Sequence, residues 1–109
     1  MNRLAILLCL ALAIGALAGC RPRTSVPPPT SPVEGVVTKV DSTGLNEVAS
    51  FDLRTANGTT YTFEIGDLEN PVEFPPGHLR EHMATSSLVR VFFDVVDGRR
   101  LVTRLEDAD

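Results

Sequence analysis

The stretch VASFDLRTANGTTYTFEIG, residues 48–66, alternates twice about a turn. Phe51, Leu53 and Thr55 fall on one side of an extended chain, with Ser50, Asp52 and Arg54 on the other. Tyr61, Phe63 and Ile65 then alternate with Thr60, Thr62 and Glu64 in the same way. Successive side chains of a strand point to opposite faces, so each run presents one apolar face to a core and one polar face to water. Asn57-Gly58 lies between the runs, and this dipeptide favours a two-residue type I′ turn in which both residues take φ > 0. A hairpin is predicted.

The flanking segments extend the pattern. Residues 33–41, VEGVVTKVD, are rich in valine and end in the glycine-containing turn DSTGLN. In 88–96, LVRVFFDVV, the residues Val89, Val91, Phe93 and Val95 share one face, and Asp97-Gly98 predicts a second tight turn into 99–107, RRLVTRLED. Between the third and fourth runs, the proline-rich NPVEFPPG precedes the one helical candidate, about Pro76 to Thr85. Prolines there forbid continued strand pairing, and Pro76 with Gly77 marks the helix start. The expected class is mainly β, in the order β-β-β-α-β-β. Five short strands with one apolar face each can curl into a closed barrel plugged by the helix. That topology resembles the OB-fold, a five-stranded Greek-key barrel. An SH3-like barrel and an open antiparallel sheet with one helix packed on it also fit the pattern. The expected outer face carries Ser50, Asp52, Arg54, Thr60, Thr62, Glu64, Arg90, Phe92, Asp94, Val102 and Arg104.

The domain so defined, residues 33–109, holds all 14 acidic residues of the chain and 7 of its 10 cations, a net charge of −7 with neutral histidines. Such a surface repels nucleic acid, which is not an expected partner.

The first twenty residues, MNRLAILLCLALAIGALAGC, have one cation at Arg3 and an uncharged apolar run from Leu4 to Leu17. This is the layout of an export signal, too short to span a bilayer comfortably as a mature helix. Leu17-Ala18-Gly19-Cys20 resembles the lipobox of bacterial lipoproteins. The resemblance implies cleavage between Gly19 and Cys20, a diacylglyceryl thioether on Cys20 and, usually, acylation of the new N-terminus. The lipid membrane is then a partner through Cys20. Each buried CH₂ contributes about 0.8 kcal/mol, so two or three chains anchor stably. Cys9 leaves with the signal and Cys20 is consumed by lipid, so no thiol remains for a disulfide, a zinc-thiolate site or a nucleophile. Arginine follows Cys20 where an inner-membrane retention signal would have aspartate, which favours the outer membrane where there is one and otherwise the outer face of the cell membrane.

Residues 20–32 join anchor to domain. RPRTSVPPPTSP, residues 21–32, has five prolines and only Val26 as a large apolar residue. A semi-rigid tether is expected, reaching on the order of 35 Å at about 3.1 Å per residue. The organisation is thus signal 1–19, lipidated tether 20–32 and β domain 33–109.

The chain's two histidines, His78 and His82, lie four apart in FPPGHLREHM, so on a helix they share a face and can reach one ion. A zinc, copper or nickel site needs a third ligand as well. Glu81 points about 100° away from His82, and Glu73 would have to fold back from the preceding loop. The competing expectation has Leu79 and Met83 face the barrel end, His78, Arg80 and Glu81 face water, and His82 at the edge, with no metal or other cofactor required. A second candidate is a contact patch of Arg90, Phe92 and Arg104. Catalysis finds no support, since no G-x-S-x-G or recognisable nucleophile signature is present and the expected mature chain keeps no free thiol. Asn57-Gly58-Thr59 matches a glycosylation acceptor but reads as a turn. The expected role is a non-enzymatic binding or interaction module of the cell envelope, acting on a protein or wall component. The alternative is transition-metal binding or sensing through His78 and His82.

Overall fold

A computed structural model describes residues 27–45 and 47–109. The expected signal segment, the expected cleavage point at Gly19-Cys20 and the expected lipidation of Cys20 lie outside the described residues. The elements are β1 (Val33–Ser42), β2 (Val48–Arg54), β3 (Thr60–Ile65), α1 (His78–Thr85), β4 (Leu88–Val96) and β5 (Arg99–Asp107). The strands close into a barrel in the order β1-β2-β3-β5-β4. The described residues are therefore mainly β, a five-stranded OB-like barrel with one short helix between β3 and β4. Closure excludes the open sheet.

Closure depends on β1 and on the crossover through α1. Val33 to Val36 pair antiparallel with Val91 to Leu88 of β4, and Val36 to Ser42 pair with Arg54 to Val48 of β2. One strand thus serves two neighbours, changing partner at Gly35-Val36. A Cβ on Gly35 would stand 2.4 Å from the Arg54 carbonyl oxygen, so only glycine fits. The other seam is a short parallel pairing of β3 with β5, Glu64 to Leu101 and Ile65 to Val102. A parallel pair needs a long crossover, which the loop, α1 and β4 supply.

The alternation predicted for β2 and β3 is present. Phe51, Leu53, Tyr61 and Phe63 are buried, and with Val37, Val89, Val91, Phe93, Val102 and Leu105 they fill the barrel. Phe63 stacks on Phe51 with ring centroids 5.6 Å apart and meets Phe93 edge-on at 5.1 Å. Burying each such side chain contributes roughly 1.5–3 kcal/mol.

Two bulges shift the expected faces. The β4–β5 register slips between Phe92 and Phe93: Phe92 faces Arg104 whereas Phe93 faces Val102, leaving Thr103 as the extra residue. Val102 and Leu105, three apart, therefore both point inward and are wholly buried, so Val102 does not belong to the outer face. A similar slip at Thr38 brings Val37 and the half-buried Val40 to the same side. Val95, expected inside, is 65 % exposed because β4 runs past the core toward its hairpin.

Asp97 and Gly98 have φ of 51° and 74°, as a type I′ turn requires. Asn57-Gly58 differs. Only Gly58 has positive φ (84°), Gly58 N–H donates to the Thr55 carbonyl at 2.9 Å, and Thr55 N–H donates to Thr59. The connection is a three-residue loop closed by a left-handed glycine. Asn57 Oδ1 accepts from the Thr59 N–H at 3.0 Å and from the Thr55 hydroxyl, which favours the longer loop.

The described part of the tether, residues 27–32, lies on the barrel. Tyr61 Oη donates to the Pro27 carbonyl at 3.2 Å, and Phe93 N–H donates to Ser31 Oγ at 2.9 Å.

Candidate functional site

The helix is two turns long, and its neighbours decide which side it buries. Phe74 enters the core just before it, held by its N–H donating to the Asn70 carbonyl at 3.0 Å. Pro75, Pro76 and Gly77 accept the first helical N–H bonds, from His78, Leu79 and Arg80. Ser86 closes the helix in the left-handed region, at φ 56°. Packed mainly against β1, the helix buries Leu79 completely and His82 to 5 % exposure, while Met83 stays 37 % exposed. The expectation that Leu79 and Met83 form the inner pair, with His82 at the edge, is thus corrected. Phe74 is the cause: its ring stacks on His82 at 5.5 Å and meets His78 edge-on at 4.8 Å.

Burial of a polar ring requires partners for both nitrogens. His82 Nδ1 donates to the Ser87 carbonyl at 3.2 Å, and its Nε2 lies 2.6 Å from Asp107 Oδ1. His78, half-exposed, places Nδ1 2.7 Å from Glu81 Oε2 and Nε2 3.4 Å from the same Asp107 oxygen. The two imidazoles, expected on one face, are edge to face with centroids 4.7 Å apart. One ligand atom from each of His78, His82 and Asp107 lies within 4.8 Å of the others.

Asp107 is the member that reading the sequence missed. Glu73, the acid weighed for the role, instead lies 3.5 Å from Arg104. Glu81 is turned from His82, as its position on the helix requires, and holds the far nitrogen of His78. A signal for Asp107 was available in the second hairpin. A two-residue turn at 97–98 folds 107 back beside 88–89, just past the helix, and Val89 does pair with Asp107.

The cluster has a definite electrostatic character. A carbonyl and a carboxylate accept only, so all four ring nitrogens of His78 and His82 face acceptors, and a nitrogen that carries a proton donates it there. Both Nε2 atoms face the same Asp107 oxygen, at 3.4 Å from His78 and 2.6 Å from His82.

Arg90, Phe92 and Arg104 also come together. Arg90 bonds Glu34 at 2.8 Å and Glu106 at 3.2 Å, and Arg104 Nε donates to Glu106 Oε2 at 2.9 Å. Phe92, half-buried, lies opposite Arg104. The hydrogen bond from Arg104 contributes most to holding Glu106 below its ordinary pKa, burial opposes it next in size, and Arg90 lowers it further. The patch is an ion-paired surface around one aromatic ring, without free positive charge to attract a polyanion.

No family model, curated protein or solved structure matches this chain, so its own geometry carries the reading of its sites.

Proposed function

We propose that the chain is an exported lipoprotein whose OB-like barrel serves as a non-enzymatic binding module of the cell envelope. The lipobox at Leu17–Cys20 supplies the address, and the proline tether sets the barrel away from the lipid.

The carrying observation is the way the tether meets the domain. Hydrogen bonds from Tyr61 to Pro27 and from Phe93 to Ser31 fasten the tether to a barrel whose interior is filled by side chains. A filled barrel offers its outer surface rather than an inner cleft. The fixed tether end gives that surface a defined presentation toward a protein or wall component. The ion-paired face around Phe92 is the contact surface of this reading, since an aromatic ring within a polar rim is the usual anatomy of a protein contact.

The reading is tested by placing a photo-crosslinking residue at Phe92 and, as a control, at Val72 in the full chain in its native envelope. A discrete adduct from position 92, absent from position 72 and lost when Cys20→Ser releases the protein, is the expected result. Equal, diffuse labelling from both positions contradicts it.

A further inference from the structure

We infer that His78, His82 and Asp107 form a binding site for a borderline divalent transition ion of the Zn²⁺ class, with Nε2 of each imidazole and a carboxylate oxygen of Asp107 as its protein ligands. The inference is independent of the lipid anchor and of the Phe92 surface.

Four observations converge on it. The three donor atoms come from two elements, α1 and the end of β5, and meet at one place. Imidazole nitrogen with one carboxylate suits zinc, nickel or copper, whereas calcium and magnesium are held by oxygen alone.

The second observation is the outer shell. Histidines that ligate a metal donate their other ring N–H to a carboxylate or a backbone carbonyl, which fixes the tautomer and aims the free nitrogen. Both arrangements are present: Glu81 on His78 Nδ1 at 2.7 Å and the Ser87 carbonyl on His82 Nδ1 at 3.2 Å. The remaining nitrogen of each ring converges on one carboxylate oxygen, at 2.6 and 3.4 Å.

Third, the ligands divide between fixed and adjustable. The His82 side chain is 6 % exposed under the Phe74 ring, while the Asp107 side chain is 62 % exposed. Zn–N and Zn–O bonds of about 2.0–2.2 Å require ligand atoms roughly 3.3 Å apart. Asp107 Oδ1 stands 2.6 Å from one Nε2 and 3.4 Å from the other, so the exposed carboxylate is the ligand that must turn to admit the ion. Fourth, the domain's charge of −7 favours a cation at any exposed site on it.

Three protein ligands leave a tetrahedral ion one position facing solvent, since His78 and Asp107 form the open side of the cluster. The ion would also join the helix to the last residues of β5, tying the two ends of the 78–107 segment.

The test titrates the full chain, extracted in detergent and stripped with a chelator, with ZnCl₂. Binding is followed by amide and imidazole NMR shifts and by competition with a chelator of known affinity. The expected result is one saturable site with micromolar Kd that shifts His78, His82 and Asp107 together. Asp107→Asn, which leaves His82 a partner, weakens binding at least about tenfold, and Glu81→Gln, which touches no ion, weakens it about tenfold. His78→Ala, at a half-exposed position, confirms the effect in a variant whose amide spectrum elsewhere is unchanged. Millimolar binding, or a Kd unaffected by Asp107→Asn, overturns the inference and leaves the cluster as an imidazole–carboxylate hydrogen bond.

Discussion

Asn70 and Leu105 are joined by two hydrogen bonds inside the protein: Nδ2 donates to the Leu105 carbonyl at 2.7 Å, and the Leu105 N–H donates to Oδ1 at 3.4 Å. The side chain completes an edge that the backbone leaves unfinished. Strand β3 pairs with β5 over two residues only, after which Gly66 N–H reaches the Val102 carbonyl and Glu69 N–H the Thr103 carbonyl. At Leu105 an amide side chain takes over. Asn70→Ala leaves a buried carbonyl and N–H unpartnered, so about 3 kcal/mol of stability is lost. Urea unfolding of the variant measures it, and a change below about 0.5 kcal/mol, the size of an ordinary surface substitution, contradicts the role.

Gly35 marks the point where β1 changes partners. Its missing side chain lets the Arg54 carbonyl and Leu53 Cγ approach to 2.4 and 2.9 Å of where a Cβ would stand. The carbonyl belongs to the β1–β2 ladder and cannot move without opening it. Gly35→Ala destabilises the barrel by about 3 kcal/mol. Gly44→Ala, whose nearest atom is a glutamate side chain at 3.8 Å, is close to neutral. Thermal unfolding of the two variants side by side distinguishes backbone contact from a general cost of replacing glycine.

Acid weakens the ion pairs of the outer face. Arg99 bonds the Glu64 carboxylate and holds its pKa below the ordinary 4.5, with burial opposing. Arg104 and then Arg90 lower Glu106 in the same way. A carboxylate whose folded pKa is depressed adds stability above its unfolded pKa, and that stability is lost as pH falls through the folded value. The window is therefore below pH 4.5. Arg99→Gln should have a lower Tm than the parent at about pH 5, and the gap should close as the pH falls toward 3. Molar salt should shrink the gap at pH 5, because both partners are solvent-exposed. A gap that widens with acid contradicts the assignment.

The barrel was legible where a single physical rule acted alone. The alternation of Phe51 and Leu53, and of Tyr61 and Phe63, follows from the two-residue period of a strand, and Asp97-Gly98 from its turn chemistry. Val102 was misplaced because a bulge at Thr103 changes the period locally, and a bulge has no composition of its own. His82 was misplaced because a helix of two turns can present either Leu79 with His82 or Leu79 with Met83, and Phe74, from a loop, decides between them. Asn70 and Asp107 act across 35 and 25 residues of sequence. Their partners exist only once the barrel has closed.

We propose that lipid on Cys20 displays this barrel from a membrane. Intact mass of the protein extracted from native membranes, followed by fragmentation of its N-terminal peptide, measures this. The expected result is a chain beginning at Cys20 that carries a diacylglyceryl group, with Cys20→Ser abolishing both the modification and membrane retention. A chain that keeps residues 1–19, or an unmodified Cys20 on a membrane-bound protein, would contradict it.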